Sequence, residues 1–165
     1  MKKLFIIMLM LAPMAAFAQK FGHFNSQEII RLMPETTKMQ KDLDTKKEQF
    51  TKELQSREDE LRKNFEEFQK LAPDTPDAIK NRKQQSIAEQ QQKLQQFAND
   101  CEEELQKEAA EKMQAIRVKI LDAVKQVGSA GDYVYIMDVT NGIPYISDKH
   151  AKEVTAEVKQ KLGLQ

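Results

Sequence analysis

The sequence predicts an α+β chain, mostly helical, in which one long helical-hairpin tentacle is inserted into a small β-barrel body formed by oligomerisation. Three observations predict it. Apolar residues recur at an eleven-residue period from Pro34 to Ala72 and again from Asp77 to Val127. One short Pro-marked turn joins the two stretches. Segments dense in β-formers occur only towards the two ends, and neither end carries enough of them for a stable sheet of its own.

Met1-Lys2-Lys3, an apolar run from Leu4 to Phe17, and Ala16-Phe17-Ala18 ahead of Gln19 have the order of a secretory signal peptide. The run is shorter than the roughly 20 residues that a membrane-spanning helix needs. Cleavage is therefore expected after Ala18, leaving residues 19–165 as a single domain. No cysteine stands at the new N-terminus to carry a lipid, so the expected product is soluble and, in a cell with two membranes, periplasmic.

In the segment Lys20 to Asn25, Phe21 and His23 alternate with Gly22 and Phe24, a pattern that suits one strand of a sheet completed elsewhere. Ser26 with Gln27 and Glu28 marks a helix start, which leads to Ile29, Ile30 and Met33 before Pro34 breaks it. Residues 19–33 are thus assigned to the body.

The arm is assigned to residues 34–127, with its turn near 72–77. In its first half Met39, Phe50, Leu61 and Ala72 stand eleven apart, and Leu43, Leu54 and Phe65 follow the first three by four residues. In its second half Leu94, Leu105, Ile116 and Val127 form one row, and Ile87, Ala98, Ala109 and Ile120 another. An eleven-residue repeat corresponds to about 3.67 residues per turn, so such a stripe stays on one face of a nearly straight helix. Pairs such as Glu48 with Lys52 and Glu58 with Arg62 mark the rest of the surface as solvated. Thr75 before Pro76 reads as an N-cap followed by proline at the first helical position. The returning helix opens with a Gln-rich stretch and gains apolar density between Met113 and Val127, so stability should fall towards the tip.

Residues 128–165 are assigned to the body again. Gly128-Ser129-Ala130-Gly131 offers a glycine for a left-handed helix cap. The runs Asp132 to Asp138 and Ile143 to Ser147 read as two strands around an Asn141-Gly142 turn, with Pro144 placing the second at an edge. Ser147 or Asp148 is the expected cap of a last helix carrying Val154, Val158 and Leu162, and Gly163 is expected to close it.

The full sequence holds 26 basic and 26 acidic residues, and loss of Lys2 and Lys3 tips the balance slightly to the acidic side. Such a chain lacks the positive field that draws a protein to nucleic acid or anionic lipid. His23 and His150 have no neighbouring ligand at metal-binding spacing, and there is no phosphate loop or nucleophile elbow, so neither an enzyme nor a cofactor is expected. Cys101 is the single cysteine and falls beside Phe97 and Leu105 at helical spacing, as a small buried hydrophobe would.

Two or three short strands and a short helix make too little core to hold so long a hairpin, which is why shared strands between subunits are expected. The residues Lys20-Phe-Gly-His-Phe-Asn25, an inserted helical hairpin, Asp132-Tyr-Val-Tyr-Ile-Met-Asp138, Ile143-Pro-Tyr-Ile-Ser-Asp148 and Glu153-Val-Thr-Ala-Glu-Val-Lys159 occur in that order. In that order they resemble the Skp/OmpH periplasmic chaperones over essentially the whole exported chain. The resemblance implies a homotrimer with a β-barrel body and three tentacles. It also implies a holdase that, without ATP, keeps unfolded outer-membrane proteins from aggregating. The best-known members are strongly basic, whereas this chain is near neutral, so lipopolysaccharide or strong membrane binding is not expected.

Met39, Leu43, Phe50, Leu54, Leu61, Phe65 and Leu94 are candidates for arm packing or client contact. Phe68 and Phe97 lie off the main rows and are expected to be exposed. Phe21, Phe24, Tyr133, Tyr135, Ile136, Ile143 and Tyr145 are candidates for the trimer body. A coiled-coil spacer or adaptor of the envelope is the alternative function. It differs in requiring the apolar stripe to be consumed by self-association.

Overall fold

The computed structural model describes residues 19–164, and the expected signal peptide lies outside the described residues. The chain runs β1 (Lys20–Phe24), α1 (Ser26–Leu32), α2 (Pro34–Gln69), α3 (Asp77–Gly131), β2 (Tyr133–Asp138), β3 (Ala151–Glu153) and α4 (Thr155–Lys161). It divides into two compact units, residues 19–29 with 121–164 and Ile30–Ile120. Among the described residues no helix is long and apolar enough to cross a membrane.

In the unit Ile30–Ile120, α2 and α3 pair antiparallel. At about 1.5 Å per residue the whole of α2 is about 54 Å long. The pairing follows from the cross-helix bonds. Glu35 meets Lys119, Asp42 meets Lys112, Lys46 meets Glu108 and Asn64 meets Gln90. As α2 advances from Glu35 to Asn64, its partner retreats by the same number of residues from Lys119 to Gln90. Between these polar pairs runs a thin seam in which Met39, Ile87, Cys101, Ile116 and Ile120 are buried.

Pro34 opens α2 at its first turn, where a missing N–H costs nothing. Thr36 donates its hydroxyl to the Ile30 carbonyl at 2.6 Å, tying the new helix to the chain before the break. At the other end α2 stops at Gln69, and the turn occupies residues 70–76, slightly earlier than expected. The Pro76 carbonyl accepts from Ile79 and Lys80, so Pro76 takes the cap position that the sequence assigned to Thr75. Thr75 instead donates its N–H to Ala72 at 3.0 Å and closes the turn.

In the other unit the three strands form one sheet in the order β2-β1-β3, and both pairings are parallel. Phe21 lies opposite Tyr135 and Ala151, and His23 opposite Met137 and Glu153. Phe24, Ile29, Ala123, Val127, Val154 and Val158 are buried.

The sheet-bearing unit departs from the sequence expectation at three places. Ile143 to Ser147 forms no strand. The Asn141-Gly142 turn is present, with Gly142 donating to the Val139 carbonyl at 3.0 Å, but the chain leaves it as an irregular segment. The third strand is Ala151–Glu153, because the central strand β1 offers its second edge in the parallel sense. Consequently neither Ser147 nor Asp148 caps the last helix. Val154 occupies that position, and its N–H donates to the His23 carbonyl at 2.8 Å.

The third place is the end of α3, which runs on through Gly131. Asp132 takes the left-handed conformation, with φ of 56°, where a glycine was expected. Asp is one of the few side chains that tolerate it. Gly131 serves another purpose, since a β-carbon there would collide with the Tyr133 ring. Gly163 does close α4, with φ of 71°. Gly163 N–H donates to Gln160 and Leu164 N–H to Lys159, the paired bonds of a Schellman motif.

Candidate functional site

Along the arm, the two helices cover the apolar stripe only in part. Met39 is buried in the seam, while Leu43, Phe50, Leu54, Leu61 and Leu94 are half-buried. Phe65 keeps 46% of its surface in solvent and Ile79 48%. Leu61, Phe65 and Ile87 line an open groove of about 280 Å³ rimmed by Glu58, Arg62 and Gln91. A second groove of about 260 Å³ has Met39, Ala115 and Ile116 among its lining residues, with Glu35, Asp42, Lys112 and Lys119 beside them.

Phe68 and Phe97 are less open than their positions off the main rows predicted. Both are half-buried. Phe97 meets Phe50 edge to face, with ring centroids 6.4 Å apart, and carries the Arg57 guanidinium over its ring. Phe65, on the main row, is the more exposed. Sequence spacing places a residue on its own helix but does not reveal what the partner helix lays across it.

An ion ladder fixes the arm's register beside this cluster. Lys46 bridges Glu104 at 2.7 Å and Glu108 at 2.6 Å, and Lys112 bridges Asp42 at 2.7 Å and Glu108 at 3.1 Å. Hydrogen bonds from Lys46 and Lys112 hold the Glu108 carboxyl below its ordinary value. The Lys112 hydrogen bond does the same for Asp42, as the Lys119 bond does for Glu35. Bonds to Glu104 and Glu108 raise Lys46, and bonds to Asp42 and Glu108 raise Lys112. Cys101 is buried, and burial followed by the nearby Glu104 and Asp100 pushes its thiol up, away from the reactive thiolate.

On the sheet, Phe21, His23, Tyr135, Met137 and Ala151 belong to one lining, completed by Ile143, Tyr145, Ile146 and His150 from the irregular segment and its end. Phe21 stacks on Tyr135 at 4.7 Å in a tilted arrangement. Tyr135 remains 49% exposed and Tyr145 80%. Tyr133 and Ile136 sit instead against Gly22, and Phe24 is buried. The fold thus brings His23 and His150 into one lining, although no group of three or more potential metal ligands exists among the described residues.

The segment between β1 and α1 is held by a polar clamp that sequence reasoning did not find. Ser26 Oγ donates to Asp138 Oδ2 at 2.5 Å, and Thr140 Oγ1 donates to Asp138 Oδ1 at 2.7 Å. Ser26 N–H donates to Asp138 Oδ1, Gln27 N–H to Thr140 Oγ1 and Glu28 N–H to Asn25 Oδ1. The free amides at the start of α1 are thereby satisfied. Burial would push the Asp138 carboxyl up, but the hydrogen bonds from Ser26 and Thr140 outweigh it and hold the group low.

The model of the family described as outer membrane protein (OmpH-like) matches residues 20–162, which takes in both units. The chain belongs to the OmpH-like family. It is 24% identical over 141 residues to the chaperone protein Skp of Pectobacterium atrosepticum, covering 86% of this chain and 84% of that one. It is 25% identical to the chaperone protein Skp of Yersinia enterocolitica over the same length and coverage. Its OmpH-like features are the mostly helical composition, the long helices and the small sheet.

Proposed function

We propose that the chain is an ATP-independent periplasmic holdase that binds unfolded outer-membrane proteins and prevents their aggregation in transit. The observation that carries this reading is the incomplete cover of the arm's apolar residues, with Phe65 of the stripe and Ile79 beside the turn each about half in solvent. A polar arm with scattered open apolar groups makes many weak contacts with chains of differing sequence. A spacer would be expected to consume its stripe in pairing, so the open residues favour the chaperone over the envelope strut. Membership of the family and the names of the two Skp relatives support the same direction.

The functional unit in this reading is a homotrimer. Val134, Tyr135, Met137 and Tyr145 are exposed, and among the described residues the outer edge of β2 has no partner strand in the sheet order β2-β1-β3. An apolar edge of this kind invites pairing with another chain. Three copies sharing a barrel would cover it.

Photocrosslinking tests the client contact. A photoreactive residue at position 65 or 79 should capture a urea-unfolded outer-membrane β-barrel protein on dilution, and one at the solvated Gln106 should not. Equal capture at all three positions, or none, would count against the arm as the client surface.

A further inference from the structure

Asn141-Gly142 is the single Asn-Gly pair in the sequence, and both residues are exposed. Asn64, Asn81 and Asn99 lie inside helices. Asn25 is followed by Ser26 and has its side-chain oxygen engaged by the Glu28 N–H at 3.1 Å. A glycine after asparagine leaves its backbone nitrogen unshielded by a side chain, so that nitrogen can reach the Asn carboxamide carbon.

We infer that Asn141 is a site of spontaneous deamidation, guarded by the Val139–Gly142 turn while the fold is closed and coupled to the clamp around Asp138. In the reaction the Gly142 nitrogen gives up its proton and bonds to Asn141 Cγ. The Cγ–Nδ2 bond breaks, and ammonia leaves. Water then opens the five-membered imide. Attack at Cγ gives aspartate, and attack at the backbone carbonyl carbon gives isoaspartate, with the chain rerouted through the side chain. No oxidant or reductant enters.

The guard is the hydrogen bond from the Gly142 N–H to the Val139 carbonyl at 3.0 Å, in a turn where Gly142 holds φ of 80°. The attacking nitrogen is tied until that turn opens. The coupling runs through Thr140, the residue before Asn141. Its hydroxyl lies 2.7 Å from Asp138 and 2.9 Å from Ser26 Oγ, and it accepts from the Gln27 N–H. Either product places a new negative charge one residue from this group, on the same short segment as the Asp138 carboxylate. Like charges so placed repel, and the amides at the start of α1 lose part of their hold. The site would therefore record how often the turn has opened.

The full chain is aged at mildly alkaline pH in native buffer and in urea, digested, and the aspartate and isoaspartate at each Asn position are measured by peptide mapping. Asn141 should lead all other asparagines in urea and convert several-fold more slowly in native buffer. An Asn141 no faster than Asn25 in urea, or equally fast in both conditions, overturns the site or its guard. For the coupling, Asn141→Asp should raise amide hydrogen exchange at Ser26 and Gln27 several-fold, and unchanged exchange there overturns it.

Discussion

The Arg57 guanidinium lies 4.2 Å from the centroid of the Phe97 ring, so a charge on α2 covers an aromatic face on α3. Arg57 is itself steadied by Glu53 one turn earlier, at 2.8 Å. A cation over a half-exposed ring is worth about 0.5–1 kcal/mol. Arg57→Ala should lower the hairpin's stability by about that amount and leave Phe97 more accessible. Thermal unfolding followed by circular dichroism checks the first effect, and increased binding of an apolar dye checks the second.

The arm should loosen on acidification. Glu35, Asp42 and Glu108 have lowered carboxyl pKa values, so their stabilisation is complete above the unfolded values and is lost as pH falls through the lower folded ones. Lys46 and Lys112 have raised values, so theirs holds at neutral pH and is lost only as pH rises through strongly alkaline values. Melting temperatures measured from neutral pH down through the carboxylate range should fall, and high salt at neutral pH should weaken the same ladder. A flat profile would mean that these bridges contribute nothing measurable.

Gly131→Ala should destabilise the sheet-bearing unit by about 1–3 kcal/mol, because the new methyl must displace the Tyr133 ring. Gly128→Ala, where the nearest side-chain atom is Ile136 Cδ1 at 3.6 Å, should be tolerated or slightly stabilising. Denaturant unfolding of both variants separates the two roles of glycine in one helix.

If the chain assembles as the proposed homotrimer, Tyr135→Asp should dissociate it, since it puts a charge on an exposed apolar sheet position. Phe50→Ser should leave the assembly intact while loosening the hairpin, because Phe50 packs on Phe97 across the two helices. Mass measurement by light scattering distinguishes them, and an intact trimer for the Tyr135 variant would contradict the barrel assignment.

The hairpin was legible because the eleven-residue period persists over many turns, and a signal so long outweighs local exceptions. The body was legible in its pieces and misread in its pairing. Ile143 to Ser147 has the composition of a strand and follows a good turn, but strand propensity is local, and the edge of β1 is filled by Ala151–Glu153 in the parallel sense. Gly128 to Gly131 offered a glycine for the cap, but the helix runs on through Gly131 and Asp132 takes the left-handed position; the glycine at 131 instead leaves room for the Tyr133 ring. On the arm the stripe was legible, but the degree to which each aromatic is open was not. That depends on the partner helix, as the cover of Phe97 by Arg57 illustrates.

Retention of unfolded polypeptide by the open stripe is tested most directly by dilution of a urea-unfolded outer-membrane β-barrel protein into buffer containing the chain without ATP. Turbidity and the mass of any complex are followed together by light scattering. Suppressed aggregation with one client bound per three subunits is the predicted result. Undiminished aggregation alongside a stable assembly of the chain alone would contradict the holdase and favour the envelope strut.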